Sequence, residues 1–252
     1  LCYFNRDMGS NLLQYHRHTA GTSQIYDIWV ELYQGIRNAN AFMEAVVLTD
    51  FDKDGAYYNE ARFLRAYYHF ILAQAWGDVP LRSSAVTTHD QVMIAVTPQY
   101  DVLDWAAKEM EACIALAPEA LDNTPSRIAK TTVHGILSRV YLFMAGESVK
   151  GGDKTALLTN AKNHADAVIK SAKHQLNPDY SQIFKNMIMD EYDTQYRESM
   201  WEVDFLGDRS SAENWTNGRI GDVIGLQSTG SSGFETWNCN YSYGKYDGAH
   251  KH

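Results

Sequence analysis

The sequence predicts a mostly α-helical fold: helix pairs first, then a loop-rich segment with a few short strands. Three observations support this. Apolar residues recur at helical spacing in successive stretches between residues 22 and 173. Gly77, Pro80, Pro118 and the pair Gly151-Gly152 punctuate those stretches. Beyond residue 173 the periodicity fades, and residues 207–249 are rich in Gly, Ser, Asn, Trp and Tyr.

Residues 1–21 are polar and irregular. Residues 22–49 read as a helix, with Ile25, Ile28, Trp29, Leu32, Tyr33, Ile36, Ala39, Phe42 and Met43 on one face. Residues 50–58 form a loop. The next stretch, NEARFLRAYYHFILAQAWGDVPL, starts a helix at Asn59, an expected cap, with Glu60 in the first turn. Its apolar stripe pairs Phe63/Leu64, Tyr67/Tyr68, Ile71/Leu72 and Ala75/Trp76. Gly77 is placed to end it in a left-handed conformation, and Pro80 prevents its resumption. It carries no evident catalytic group. Residues 79–97 are extended or irregular. A third helix covers 98–116, with Pro98 at a permitted first-turn position. After a loop at 118–127, helices follow at 128–146 and 154–173. Residues 174–199 read as mixed and loop-like, and MWEVDF at 200–205 as a short strand.

A small residue, an apolar one four later and Ala three later recur as Ala66/Phe70/Ala73, Ser138/Leu142/Ala145 and Ala165/Ile169/Ala172. Trp29 and Leu32 keep the spacing of a tetratricopeptide opening helix. The pattern predicts a tetratricopeptide-like helix-pair scaffold over residues 22–173, with residues 174–252 as the loop-rich, aromatic, ligand-side region.

A net charge of −9 argues against a nucleic-acid partner, which needs a basic face. A neutral ligand suits this balance. With 16 Tyr, 9 Phe and 6 Trp, more rings are present than a core of this size absorbs, so half-exposed rings are expected. Cys2, Cys113 and Cys239 give neither a disulfide framework nor a metal pair. No run approaches the roughly 18 apolar residues of a membrane helix.

The stretch from Asn59 to Leu81 resembles the signature helix of the SusD/RagB family of outer-membrane nutrient-binding lipoproteins. The other landmarks follow in order. WVELYQGIRNANAFME, around Trp29, Tyr33, Ile36 and Asn40, resembles the preceding helix. SRIAKTTVHGILSRVYLFMAG, with Lys130, Leu137, Arg139 and Tyr141, resembles a later one. AKNHADAVIKSAKHQLNPDYSQIF and ESMWEVDF complete the series. The resemblance implies a single SusD-like domain over residues 1–252, incomplete at both ends, and a lipid anchor outside this chain. It also implies the outer face of the outer membrane as location, and a SusC-like TonB-dependent transporter as partner. The ligand it implies is an oligosaccharide or polysaccharide.

Trp215, Trp237, Tyr241 and Tyr243, accompanied by Asn214, Asn217, Asn238 and Asn240, form the first candidate ligand site. A pyranose stacks its C–H face on an aromatic ring, and its hydroxyls need amide, carboxylate or guanidinium partners. The bland alternative is a satellite core beneath long loops. Arg6, Asp7, Tyr15 and Arg17 form a second candidate, because the resemblance implies ligand contacts from loops before the first matched helix. Ordinary surface polarity competes with that reading.

Asp50, Asp52, Asp54 and Gly55 imitate a calcium-binding loop, but Ala61 stands where the closing Glu belongs. A solvated acidic turn is the simpler reading. The pairs His16/His18 and His250/His252 lack a third ligand nearby. Neither metal nor cofactor is expected. Glu202, Asp204, Asp208, Glu213 and Glu235 supply carboxylates, yet spacing cannot pair them across a glycosidic bond. The expected function is non-catalytic glycan binding with delivery to the transporter. An all-α glycoside hydrolase and a protein-binding tetratricopeptide scaffold are the alternatives.

Overall fold

The structure, a computed structural model, describes residues 17–19, 21–120, 125–189, 191–203, 227–229 and 236–238. The chain divides into two compact units. One comprises Ser23–Leu121 and Arg127–His174; the other comprises Leu1–Thr22, Asp122–Ser126 and Gln175–His252.

The first unit holds five helices: α1 (Ser23–Val46), α2 (Ala56–Trp76), α3 (Gln99–Cys113), α4 (Lys130–Met144) and α5 (Lys154–Ser171). Each packs on the next in sequence, which is the arrangement that helix-pair patterning predicts. The core runs along their seams. Phe63, Ala66, Leu72 and Ala73 of α2 lie against Val102, Leu103, Ala106 and Met110 of α3, and Val133, Leu137, Val140 and Met144 line α4; all are fully buried. Burying a large aliphatic or aromatic side chain of this kind contributes about 1.5–3 kcal/mol. Trp29 packs edge-on against Trp76 at 5.3 Å, joining α1 to α2 by their rings.

Several details differ from the sequence reading. Except for α2, which starts earlier, the helices are shorter at their ends than the patterns suggest. The buried stripe of α2 is rotated: it runs through Phe63, Ala66, Phe70 and Ala73, while Ala75 is exposed. Of the small-residue echoes, only that in α2 is buried throughout. Leu142 and Ile169, the middle residues of the others, are 59% and 75% exposed. In α1 the buried residues begin at Ile36, and Ile28 faces solvent.

Asn59 does not cap α2. The helix begins earlier, at Ala56, and Asp52 does the capping: its carboxylate accepts from Tyr57 N–H at 3.2 Å and Tyr58 N–H at 2.7 Å. Gly55, at φ 68°, turns the chain between them. Asn59 is buried one turn in, where its Nδ2 donates to Cys113 O at 2.9 Å and ties α2 to α3. At α5 an ordinary cap forms, with Asp153 Oδ1 accepting from Thr155 N–H and Ala156 N–H.

The second unit contains α6 (Tyr180–Met189), which the sequence reading leaves as loop, and an antiparallel hairpin, β1 (Gln227–Thr229) with β2 (Thr236–Asn238). Asp179 opens α6: its carboxylate accepts from Ser181 N–H and Oγ. The expected strand at 200–205 is not a strand over its described residues, 200–203. Glu202 N–H donates to Pro125 O at 3.0 Å without a continuing ladder.

Gly77 ends α2 at φ 79°, ψ −117°. That is the mirror image of an extended residue rather than the left-handed helical cap expected, and only glycine adopts it freely. A Cβ there would meet nothing within 4 Å, so a substitution is opposed by backbone conformation alone. Gly77→Ala is therefore expected to lower stability by about 1–3 kcal/mol in chemical denaturation. Unchanged stability would show that the turn is not held in this conformation.

Candidate functional site

After α2 the chain forms a strap, residues 80–85, tied down by side chains from α1 and α2. Tyr33 OH donates to Pro80 O at 2.8 Å. Asn40 Nδ2 donates to Arg82 O and Ser84 O at 3.1 and 3.0 Å. Arg65 donates to Ser83 O at 2.6 Å and to Asn40 Oδ1 at 2.8 Å. Glu44 accepts from Ala85 N–H at 2.8 Å. Beyond the strap, the Arg82 guanidinium donates to Gln91 O and Val92 O, fixing a single helical turn at His89–Gln91. Val79 and Thr97 close the segment by a backbone bridge.

Beneath the strap lies a charged lattice. Glu109 of α3 accepts from Arg62 Nε and NH2 at 3.0 and 2.8 Å, and from Arg65 NH2 at 2.5 Å. Burial pushes the Glu109 carboxyl upward, but these two guanidinium groups outweigh it and hold the group below its ordinary value. Arg65 also lies 5.3 Å from the centre of the Trp105 ring. The spacing Arg62, Arg65, His69 places these polar groups along one helix face, a signal masked in sequence by the surrounding aromatics.

His69 is fully buried. Its Nε2 accepts from Arg82 N–H at 3.1 Å, so its proton sits on Nδ1, which donates to Arg65 O at 2.9 Å. Burial drives its pKa down to about 4. Burial likewise pushes the Cys113 thiol up to about 12, and its Sγ–H faces Glu109 O at 3.2 Å. Neither group is poised for acid–base or nucleophilic work; both are packing groups.

Trp237 and Asn238 lie on β2, paired in register with Ser228 and Gln227 of β1. Arg6, Tyr15, Asn214, Trp215, Tyr241 and Tyr243 lie outside the described residues, as do Asp7, Asn217 and Asn240. Arg17 is described and exposed. Of the candidate carboxylates, Glu202 is described and half-buried; Asp204, Asp208, Glu213 and Glu235 are outside. His16, His250 and His252 are outside too, and His18 is exposed. Asp52, the central residue of the calcium-like loop, has both oxygens engaged by helix N–H groups. Among the described residues, no three His, Cys, Asp or Glu side chains converge as metal ligands.

The sequence reading missed outward-facing aromatic pairs: Phe51 with Tyr57, and a pair on α6. Tyr180 and Phe184 of α6 are 75% and 49% exposed, with ring centres 5.2 Å apart. Rings so presented can stack on the apolar face of a sugar or of another neutral ligand. Among the described residues, no helix is long and apolar enough to cross a membrane.

Residues 4–142 match a SusD-like family model described as "Starch-binding associating with outer membrane". Among curated proteins, the chain is 22% identical over 212 residues to SusD-like protein P25 of Formosa agariphila, covering 82% of this chain and 37% of that protein. Among solved structures it resembles a SusD homolog from Bacteroides thetaiotaomicron, with TM-score 0.75 and 25% identity across 91% of this chain and 44% of that one. A chain solved with a xylogluco-oligosaccharide gives TM-score 0.67 and 20% identity, across 82% of this chain and 40% of the other. The chain thus spans under half the length of these relatives.

The His69 contacts make a pH prediction. The folded state lowers this pKa from 6.5 to about 4, so it favours the neutral ring. The corresponding stability is fully present above pH 6.5 and is lost as pH falls toward 4, on the order of 3 kcal/mol in all. Denaturant titrations of wild type and His69→Gln across this window should give a shallower pH slope for the variant. Parallel slopes would contradict the assignment.

Proposed function

This chain belongs to the SusD-like family, and on that premise we propose that it is part of a non-catalytic receptor for neutral oligo- or polysaccharide. The observation that carries the reading is the family match across residues 4–142, more than half of the 252 residues present. The xylogluco-oligosaccharide held by a structural relative supports a sugar as the ligand class. The acidic balance supports a neutral ligand over an anionic one. The family's description supports association with the outer membrane.

The protein sits on the extracellular face of the outer membrane, held by a lipid anchor outside this chain. It captures glycan by stacking and by hydroxyl hydrogen bonds, then delivers it to a SusC-like TonB-dependent transporter. Trp215, Trp237, Tyr241 and Tyr243 supply the rings. Asn214, Asn238, Arg6 and Tyr15 supply polar partners. The helical unit is the scaffold, and its buried charges serve packing.

Native gels containing soluble starch or xyloglucan provide the test. The protein should be retarded in at least one of them. Trp215→Ala and Trp237→Ala should each weaken binding about tenfold, the equivalent of roughly 1.4 kcal/mol, with the helical circular-dichroism signal intact. Unchanged retardation of both variants would discard those rings as the site. Shortening of the polysaccharide by the protein would replace the receptor reading with a hydrolase.

A further inference from the structure

A second set of titratable groups joins α3, α4 and α5, apart from the strap lattice. His134 of α4 and His164 of α5 face each other with Nδ1 to Nδ1 at 2.8 Å. A hydrogen bond at that distance requires one ring to donate and the other to keep a lone pair. His164 Nε2 lies 3.7 Å from Glu111 Oε1 of α3. That carboxylate oxygen also accepts from Tyr141 OH of α4 at 2.5 Å, and the Tyr141 ring stacks on His164 with centres 5.6 Å apart. With a carboxylate beside it, Nε2 of His164 carries a proton. Its Nδ1 is then the acceptor and His134 Nδ1–H the donor.

One added proton leaves this bond in place, because a single lone pair remains between the rings. A second removes it and sets two charged donors face to face. We propose that the α4–α5 seam is an acid-sensitive joint: the His134–His164 bond holds while at most one ring is charged and breaks when both are, loosening α5 from α4.

The neighbouring charges bear on each ring differently. Burial lowers the pKa of both. For His134, His164 and Lys130 lower it further, while Glu119, itself paired with Lys130 at 2.5 Å, opposes them. For His164, Glu111 opposes burial. The first proton is therefore accommodated beside Glu111, and the second is resisted. The contribution of the seam is present near neutral pH and is lost as pH falls below the ordinary histidine value.

Besides this joint, α5 keeps a contact just past its C-terminal end, where His174 Nε2 lies 2.8 Å from Thr131 Oγ1 of α4. The buried residues of α5 are Leu157 and Ala161, and Ser138 OH donates to Ala161 O at 2.9 Å. A helix with so little apolar anchorage depends more on its polar contacts than α2 or α3 does.

Hydrogen exchange of the 252-residue chain between pH 7 and pH 4.5, corrected for intrinsic rates, tests the proposal. Amides of α5 should lose protection by about tenfold on acidification. His134→Gln keeps a donor and acceptor but does not titrate, and should abolish that loss. Equal acid loss in the variant, or none in wild type, overturns the proposal. If the variant does not fold, imidazole NMR of wild type decides: coupled two-step titration of both rings supports the joint, and independent single steps at ordinary values refute it.

Discussion

The salt bridge between Arg65 and Glu109 is the contact on which the helical unit depends. Removing two such charges from water is costly, and their attraction offsets this only with good geometry and further hydrogen bonds. Here Glu109 receives both Arg62 and Arg65, and Arg65 also reaches Asn40 and the strap carbonyl of Ser83. One atom is left over: Arg65 Nε is buried without a hydrogen-bond partner. The lattice therefore contributes less to net stability than to uniqueness. It fixes how α1, α2 and α3 meet, and it fixes one path for the chain leaving α2.

That path explains the punctuation after α2. Gly77 turns the backbone where another residue resists, Val79 is buried and bridges Thr97, and Pro80 presents a carbonyl to Tyr33. His69 completes the arrangement by accepting from Arg82 N–H, which requires a neutral ring. Helix packing and strap conformation are thus set by the same few polar groups, embedded in an apolar seam.

Much of the fold was legible because its signals are local. Helical periodicity located each of α1 to α5, and the breakers separated them. Local signals failed where tertiary contacts decide. Asn59 has the chemistry of a cap, but Asp52 lies earlier and captures two N–H groups, leaving Asn59 free to bond Cys113 O across the α2–α3 seam. Ser181 bonding to Asp179 starts α6, where Tyr180, Ile183, Phe184, Met187 and Ile188 do keep helical spacing, but over only ten residues, a length at which a periodic run is easily passed over as loop. The sequence reading gives Arg65 and His69 no role, because sequence alone does not show that Glu109 and the strap await them. Of the candidate ligand residues, the structure describes Trp237 and Asn238, in a short hairpin, and the exposed Arg17. Their assignment rests on residue chemistry: flat rings and amides suit sugars whichever loop carries them.

The central claim is a division of labour: a helical array whose buried charges serve packing, and glycan recognition by aromatic residues beyond it. Hydrogen exchange with and without a bound oligosaccharide, chosen from starch- and xyloglucan-derived fragments, tests that division most directly. New protection should fall in residues 204–252, with α2 and α3 unchanged. Protection concentrated around Arg62, Arg65 and Glu109 would contradict it, because the sugar would then engage the lattice assigned here to packing.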